Sequence, residues 1–419
     1  MTSLALDVEK ATGVANFLVG SGIGGVFVED ESLDGKHVTV YGKKLIHFGS
    51  CGYLGLEYDE RLKAGAIQAI ERFGTQFSCS RAYLSLPLYE EVEDKLAKMY
   101  GYPALLAPSC TLGHISNIPV LCTPKDAIIL DHQVHTSVRN AVSMAKASGT
   151  HVEVIRHNNM NTLEDRIKHL SSRHEKIWYM ADGIYSMLGD VAPIDEIYTL
   201  MDKYPQFYCY IDDAHGMSWK GKNGTGIVFL GGREYHPQLF FVTSLAKGFG
   251  VSGGVMLYHT DAMKQLIRFT GLTMVFGGPM QPANLGAISA SADIHLSPEI
   301  YVMQSEFSTL MSYFKITARA LNLPLISEGK SPIFYIGLGS TEAVFEVCSR
   351  MISSGYFVSF AAYPSVPEKL SGVRITLNLS HTVQEIHEML TALAGHIAEL
   401  ESKNKVNIEK VYNSFGLAQ

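Results

Sequence analysis

Six short apolar runs set the terms for this chain: Ala127–Leu130, His151–Ile155, Lys176–Met180, Phe207–Ile211, Gln238–Thr243 and Gly254–Tyr258. Each is followed by a stretch with helical spacing of apolar residues. Runs that are apolar on both faces and separated by helices predict an α/β fold with a mostly parallel central sheet covered by helices. Three of the runs lead straight into acidic residues, at Leu130-Asp131, Met180-Ala181-Asp182 and Ile211-Asp212-Asp213. Ligands of open α/β sheets sit outside the carboxyl ends of the strands, so these carboxylates stand where a ligand is expected.

The flanks read differently. The segment 1–57 reads as an N-terminal arm, with a short helical start and a hairpin of Val38–Tyr41 and Leu45–Phe48 around Gly42-Lys43-Lys44. Residues 58–290 form the large α/β domain, opened by amphipathic helices at Glu60–Phe73 and Tyr89–Tyr100. Residues 291–419 read as a smaller α+β domain. It would hold a long helix near Ser291–Leu321, strands Ile333–Leu338 and Val373–Leu379, and helices Glu342–Ser353 and Val383–Leu400.

Composition narrows the partners. With 34 Lys+Arg against 41 Asp+Glu and no block of one sign, nucleic acid and anionic membranes are not expected. The most apolar stretches, Leu105–Cys122 and Phe240–Tyr258, are interrupted by Gly and carry His114 and Lys247, so no membrane span is expected. The opening residues lack the basic-then-apolar order of a secretory signal. The six cysteines have no C-x-x-C spacing and read as reduced thiols of a cytoplasmic protein, with no zinc site.

Four segments carry candidate chemistry. Lys247 follows an apolar run within Thr243-Ser244-Leu245-Ala246-Lys247-Gly248, where a desolvated amine suits Schiff-base formation and a surface lysine is the plainer reading. Asp212-Asp213-Ala214-His215-Gly216 could be a metal pair, a catalytic dyad or a loop network. Taken with a lysine some way downstream, it narrows to pyridoxal phosphate, which needs a lysine and an acid at its pyridine nitrogen. His135, in Asp131-His132-Gln133-Val134-His135, could stack on a planar ring or cap a helix. Ser109-Cys110-Thr111-Leu112 opens a helical pattern whose free amides could take a phosphate.

Together these segments resemble the α-oxoamine synthases, fold type I pyridoxal-phosphate enzymes that include 8-amino-7-oxononanoate synthase, 2-amino-3-ketobutyrate ligase, 5-aminolevulinate synthase and serine palmitoyltransferase. The resemblance runs in order from about residue 46 to residue 400. Its most specific motifs are Asp212-Asp213-Ala214-His215-Gly216 with Gly221, Gly224 and Gly226, and Asp182-Gly183-Ile184-Tyr185-Ser186 through Pro193. Ser244, Lys247, Gly253-Gly254 and His381-Thr382 complete the set.

The resemblance implies a role for each matching residue. Lys247 would form the Schiff base, Asp212 pair with the pyridine nitrogen, His215 bind the ring hydroxyl and His135 stack on the ring. Ser186 would hydrogen-bond near the ring, and Ser244 with the amides of Thr111 and Leu112 would hold the phosphate. Arg374 would bind the amino-acid carboxylate, with Arg81 and Cys51 also on the substrate side. The implied reaction is a decarboxylative Claisen-type condensation of an amino acid with an acyl thioester, on coenzyme A or a carrier protein, giving an α-aminoketone. A homodimer with a shared active site is implied as well. An aminotransferase or lyase on the same fold is the alternative.

Three cysteines mark departures from the family pattern. Cys51 stands for the family's Asn in Ser50-Cys51-Gly52-Tyr53-Leu54-Gly55, Cys79 lies in Ser78-Cys79-Ser80-Arg81, and Cys110 lies in the phosphate turn. Phe276-Gly277-Gly278-Pro279 departs at the family's partner-subunit phosphate contact. These changes predict a specialised member with an altered amino-acid site.

Overall fold

The computed structural model describes residues 8–327, 329–363 and 365–417. They divide into two compact units, one of Cys51–Ser186 and Asp190–Ser308, the other of Met1–Ser50, Met187–Gly189 and Thr309–Gln419. Among the described residues no helix is long and apolar enough to cross a membrane.

In chain order the smaller unit begins with helix Val8–Gly20, followed by β1 (His37–Val40) and β2 (Lys43–His47). The larger unit holds β3 (Ala104–Ala107), β4 (Ala127–Asp131), β5 (His151–Ile155), β6 (Ile177–Asp182), β7 (Phe207–Asp212), β8 (Leu239–Ser244) and β9 (Gly254–Leu257). The smaller unit ends with β10 (Ile333–Gly337), β11 (Tyr356–Phe357), β12 (Ser359–Ala361) and β13 (Gly372–Thr376).

The larger unit is built on one seven-stranded sheet of order β3-β9-β8-β7-β6-β4-β5. Only β9 runs antiparallel to its neighbours, β8 and β3. Every residue of β6 and β8 is buried, as two covered faces require, and this is why those runs are unbroken in the sequence. β5, at the sheet edge, is half-exposed and mixes polar with apolar residues accordingly. Trp178, Tyr210, Phe240 and Met256 form the core beneath helix Cys110–Leu121. Truncating a fully buried Trp178 would cost about 3–5 kcal/mol.

Helices Glu60–Phe73 and Pro282–Leu296 cross at a backbone contact. A Cβ on Gly286 would stand 2.1 Å from the Gly65 carbonyl oxygen, and one on Gly65 2.6 Å from that of Gly286. Only glycine lets the two backbones approach so closely.

In the smaller unit β1 and β2 form a hairpin, and β11 adds parallel to β2. β10, β13 and β12 form a second, antiparallel sheet. Tyr335, Ala361 and Val366 pack with Met187, Leu188 and Phe415 in its core. The tip of the Asp182–Pro193 motif thus belongs to this unit, where the Ser331 hydroxyl donates to the Gly189 carbonyl at 2.7 Å.

The structure corrects four sequence-based expectations. The hairpin turns on Tyr41-Gly42, both left-handed, so β2 starts at Lys43; two positive φ values are what a tight two-residue turn demands. The single long helix near Ser291–Leu321 is two helices, Pro282–Leu296 and Glu299–Ala320. Ser297 between them is extended, and Pro298 lacks the N–H needed to continue the first helix. Strand β13 ends at Thr376 rather than Leu379, because the chain turns at Asn378, whose side chain accepts from the Ser380 amide. Strand β3 has no counterpart in the sequence reading: four buried residues between Pro103 and Pro108 are too few to show a period.

Candidate functional site

The carboxyl ends of β4, β6 and β7 place Asp131, Asp182 and Asp212 in a row, with Asp182 and Asp212 paired across neighbouring strands. All three are at most 5% exposed. Two adjacent buried carboxylates cannot both ionise cheaply, and their surroundings separate them.

Asp212 is held ionised. Its Oδ2 accepts from His114 Nε2 at 2.9 Å and its Oδ1 from the Ala214 amide at 3.0 Å. Burial alone would raise its pKa, but the His114 hydrogen bond, the His114 ring and the Lys247 ammonium outweigh it and lower it to about 2. Asp182 goes the other way: burial and the charge of Asp212 raise it well above the usual carboxylate range. It accepts from the His135 amide at 3.1 Å, which fixes the chain just beyond β4.

Asp213 turns away into a cage of glycines. A Cβ on Gly183, Gly216 or Gly226 would lie 2.1–2.3 Å from its carboxylate oxygens, which accounts for three glycines of the two longest motifs. Its Oδ2 accepts from the Ile227 amide at 2.8 Å, tying the Asp212-Asp213-Ala214-His215 turn to the loop that follows. Burial pushes its pKa up to about 8.

His215 is 6% exposed, and its Nδ1 meets the Tyr53 hydroxyl at 2.6 Å. Lys247 follows β8 and is half-buried, with its ammonium close enough to Asp212 and His135 to shift both. Ser244 ends β8, and its hydroxyl accepts from the Ala246 amide at 3.2 Å. Helix Cys110–Leu121 starts beside β9, where a Cβ on Gly254 would meet the Cys110 nitrogen at 2.6 Å. The Leu112 amide donates to Ser109 Oγ at 3.2 Å, and Thr111 is exposed on the same first turn. His135 caps helix Thr136–Ala147, with Nδ1 2.6 Å from Ser137 Oγ and its ring exposed. Ser186 is half-exposed on the turn after β6.

The larger unit thus brings together Lys247, Asp212, His215, His135, Ser244 and the helix start bearing Thr111 and Leu112. A lysine, a buried anion and a helix start with a hydroxyl beside it match the donor set of pyridoxal phosphate: amine for aldehyde, carboxylate for pyridinium, helix N-terminus for phosphate. The Lys247–Asp212 interaction supports that fit, since the two would meet opposite ends of one conjugated system.

Three candidates were expected on the substrate side. Arg81 is 5% exposed and turned inward: it pairs with Glu93 at 2.9 Å, donates to the Leu106 carbonyl at 3.2 Å and covers the Tyr89 ring at 3.7 Å. Cys51 is half-buried at the start of the larger unit. Arg374 is half-exposed in β13 of the smaller unit, opposite Tyr335 and Ser359.

The site also contains residues the sequence reading did not single out. His114, fully buried, reaches Asp212 from the helix, and Tyr53 reaches His215. Cys110 Sγ lies 3.4 Å from His114 Nε2 and 3.8 Å from both oxygens of Asp212. These sulfur, nitrogen and oxygen donors all fall within 4.8 Å, a spacing a metal ion could also bridge. The available signal was a histidine inside the otherwise apolar stretch Leu105–Cys122. Behind the site, His157 bridges Asp131, at 2.8 Å, and Asp190. None of the six cysteines forms a disulfide.

Known proteins are similar to this chain. The chain is 29% identical to serine palmitoyltransferase of Bacteriovorax stolpii over 91% of its own length and 89% of that protein's. It is 28% identical to 8-amino-7-oxononanoate synthase of Alkaliphilus oremlandii, covering 82% of this chain and 86% of that one. A serine palmitoyltransferase variant from S. paucimobilis, solved with a bound PLP–myriocin aldimine, superposes with a TM-score of 0.85 at 22% identity, over 94% of this chain and 99% of that one. Residues 43–393 match the family described as aminotransferase class I and II. With a fold type I sheet, a site fitted to pyridoxal phosphate and relatives of this kind, the chain belongs to the aminotransferase class I and II family, whose cofactor is pyridoxal phosphate, and within it to the α-oxoamine synthases.

Proposed function

We propose that the chain is a pyridoxal-phosphate-dependent C-acyltransferase that joins an amino acid to an acyl thioester and releases an α-aminoketone. The observation that carries this reading is Lys247 set in one site with a buried carboxylate, Asp212, which His114 Nε2 and the Ala214 amide hold by hydrogen bonds. When bound, the cofactor supplies an electron sink conjugated to the substrate's α-carbon.

The remaining work falls to this chain's side chains. Lys247 would hold the cofactor through its Nζ and then take the α-proton there as general base. Asp212 would keep the pyridine nitrogen protonated. His215, braced by Tyr53, would bind the ring hydroxyl, and the exposed face of His135 would stack on the ring. Ser186 would hydrogen-bond beside it. Ser244 and the amides of Thr111 and Leu112 would hold the phosphate, where the positive end of a helix favours an anion. In the condensation a bond forms between the α-carbon and the acyl carbonyl carbon. The thiol leaves, carbon dioxide is lost, and a proton returns to the α-carbon.

On the substrate side Arg374 would bind the amino-acid carboxylate as a planar bidentate donor. Cys51 and Arg81 would serve the substrate side as well, Arg81 from its buried pair with Glu93. We place the reaction in the cytoplasm, in a homodimer with a shared active site. Six cysteines outside any disulfide support the first, and the exposed Tyr83, Leu84, Leu272 and Phe276 of the larger unit support the second.

The test is spectral and chemical. Purified protein should be yellow, bleach with borohydride, and release thiol from an acyl thioester only with the matching amino acid. Lys247→Ala should abolish both colour change and turnover. Thiol release by that variant at the normal rate would overturn the assignment, and amino transfer to a keto acid without thioester would replace it with an aminotransferase.

A further inference from the structure

Asp212 stands at the end of a buried line of hydrogen bonds that no reading above assigns. The Tyr258 hydroxyl donates to Asn117 Oδ1 at 2.5 Å, and the Asn117 side chain in turn bonds the Tyr210 hydroxyl. The Tyr210 oxygen lies 2.9 Å from His114 Nδ1, and His114 Nε2 lies 2.9 Å from Asp212 Oδ2. All five residues are at most 5% exposed, and the line runs from just beyond β9 through helix Cys110–Leu121 to β7.

Each partner orients the next group. The Asn117 carbonyl is used by Tyr258, which leaves its NH2 for the Tyr210 oxygen. His114 Nδ1 shares a hydrogen bond with the Tyr210 hydroxyl, and Nε2 carries its proton toward the acceptor-only Asp212 carboxylate. Without Tyr210 only the carboxylate holds the ring, and the imidazole loses its second anchor.

We infer that His114, set by Tyr210, is a positioning residue that orients Asp212 for the pyridine nitrogen of the cofactor. The inference rests on the proposed function. Its chemistry is specific: Asp212 keeps one oxygen on the Ala214 amide and one on His114, so its remaining lone pairs are aimed rather than free to rotate. The same contact offsets the cost of keeping the anion buried.

A titration of cofactor-stripped protein with two probes tests this. One probe is pyridoxal phosphate; the other is its deaza analogue, with C–H in place of the ring nitrogen. The analogue keeps the aldehyde, hydroxyl and phosphate contacts but cannot use Asp212. The native chain should prefer pyridoxal phosphate, and His114→Phe should weaken that probe by about tenfold while leaving the analogue nearly unchanged. Tyr210→Phe should show the same selective loss at roughly threefold, and it serves if the first variant does not fold. Equal losses for both probes would mean a merely structural role, and no loss would mean no role; either overturns the inference. Failure of the native chain to bind either probe would instead remove the proposed function beneath it.

Discussion

The two units treat buried charge in opposite ways. Among the described residues, every buried Asp, Glu and Arg lies in the larger unit: Arg81, Glu93, Asp126, Asp131, Asp182, Asp212 and Asp213. The smaller unit buries only neutral polar groups, such as Ser331, Thr376, Asn378 and His381, and keeps its ion pairs at the surface. Burying a charge costs several kcal/mol unless it is paired, so a fold concentrates it where an anion is used and supports it from behind. Near Asp212 the support is His114, Lys247 and the Ala214 amide; near Asp131 it is His157, Tyr179 and two amides.

The largest effect should come from the ion pair beneath the sheet. Glu93 bonds Arg81, Lys264 and the Leu106 amide. Glu93→Gln leaves the Arg81 charge buried without its carboxylate and should cost about 3–5 kcal/mol in urea unfolding. Trp178 and Trp219, both in the larger unit, give a fluorescence signal for that unit, while circular dichroism follows the whole chain. A cost under about 1 kcal/mol would end the claim that buried charge separates the units.

The histidines sharpen the comparison by failing at opposite ends of the pH scale. In the larger unit, burial would lower His157, but Asp131 and Asp190 raise it to about 9, above its unfolded value near 6.5. Its contribution is therefore complete below pH 6.5 and lost as pH rises toward 9, on the order of 3 kcal/mol. In the smaller unit, burial lowers His381 to about 4; it accepts from the Asn378 amide at 3.0 Å and stacks on Phe48 at 4.1 Å. Its contribution is present above pH 6.5 and lost as pH falls toward 4, by a similar amount. Stability against pH should lose its alkaline decline in His157→Asn and its acid decline in His381→Phe. The same pH profile in both variants would refute the assignment.

The smallest effect belongs to the surface pair of the smaller unit. Lys36 and Glu385 meet at 2.8 Å with 22% and 18% of their side chains exposed. Lys36→Met should change stability by about 1 kcal/mol or less, and a loss as large as that of Glu93→Gln would erase the distinction between the units.

Much of the site could be read from the chain because its residues follow strand ends. Asp182, Asp212 and Lys247 were legible from where apolar runs stop, and Gly183, Gly216 and Gly226 from motifs whose purpose, making room for Asp213, became visible only in three dimensions. His114 was not legible as a partner. Its carboxylate lies 98 residues further on, and neither spacing nor composition encodes that meeting. Arg81 carried a different lesson: a motif position identifies a residue but not the direction of its side chain, here inward to Glu93.

The sequence by itself determined the alternating α/β order, the strand ends that bear the carboxylates, the lysine and the family. These follow from periodicities of two and 3.6 and from short motifs, which are local properties of the chain. The tertiary structure alone decided how the two carboxylates differ. Asp182 and Asp212 are the same residue type at the same point of neighbouring strands, and the approach of His114 favours the anion at Asp212 while burial and the charge of that neighbour push Asp182 the other way.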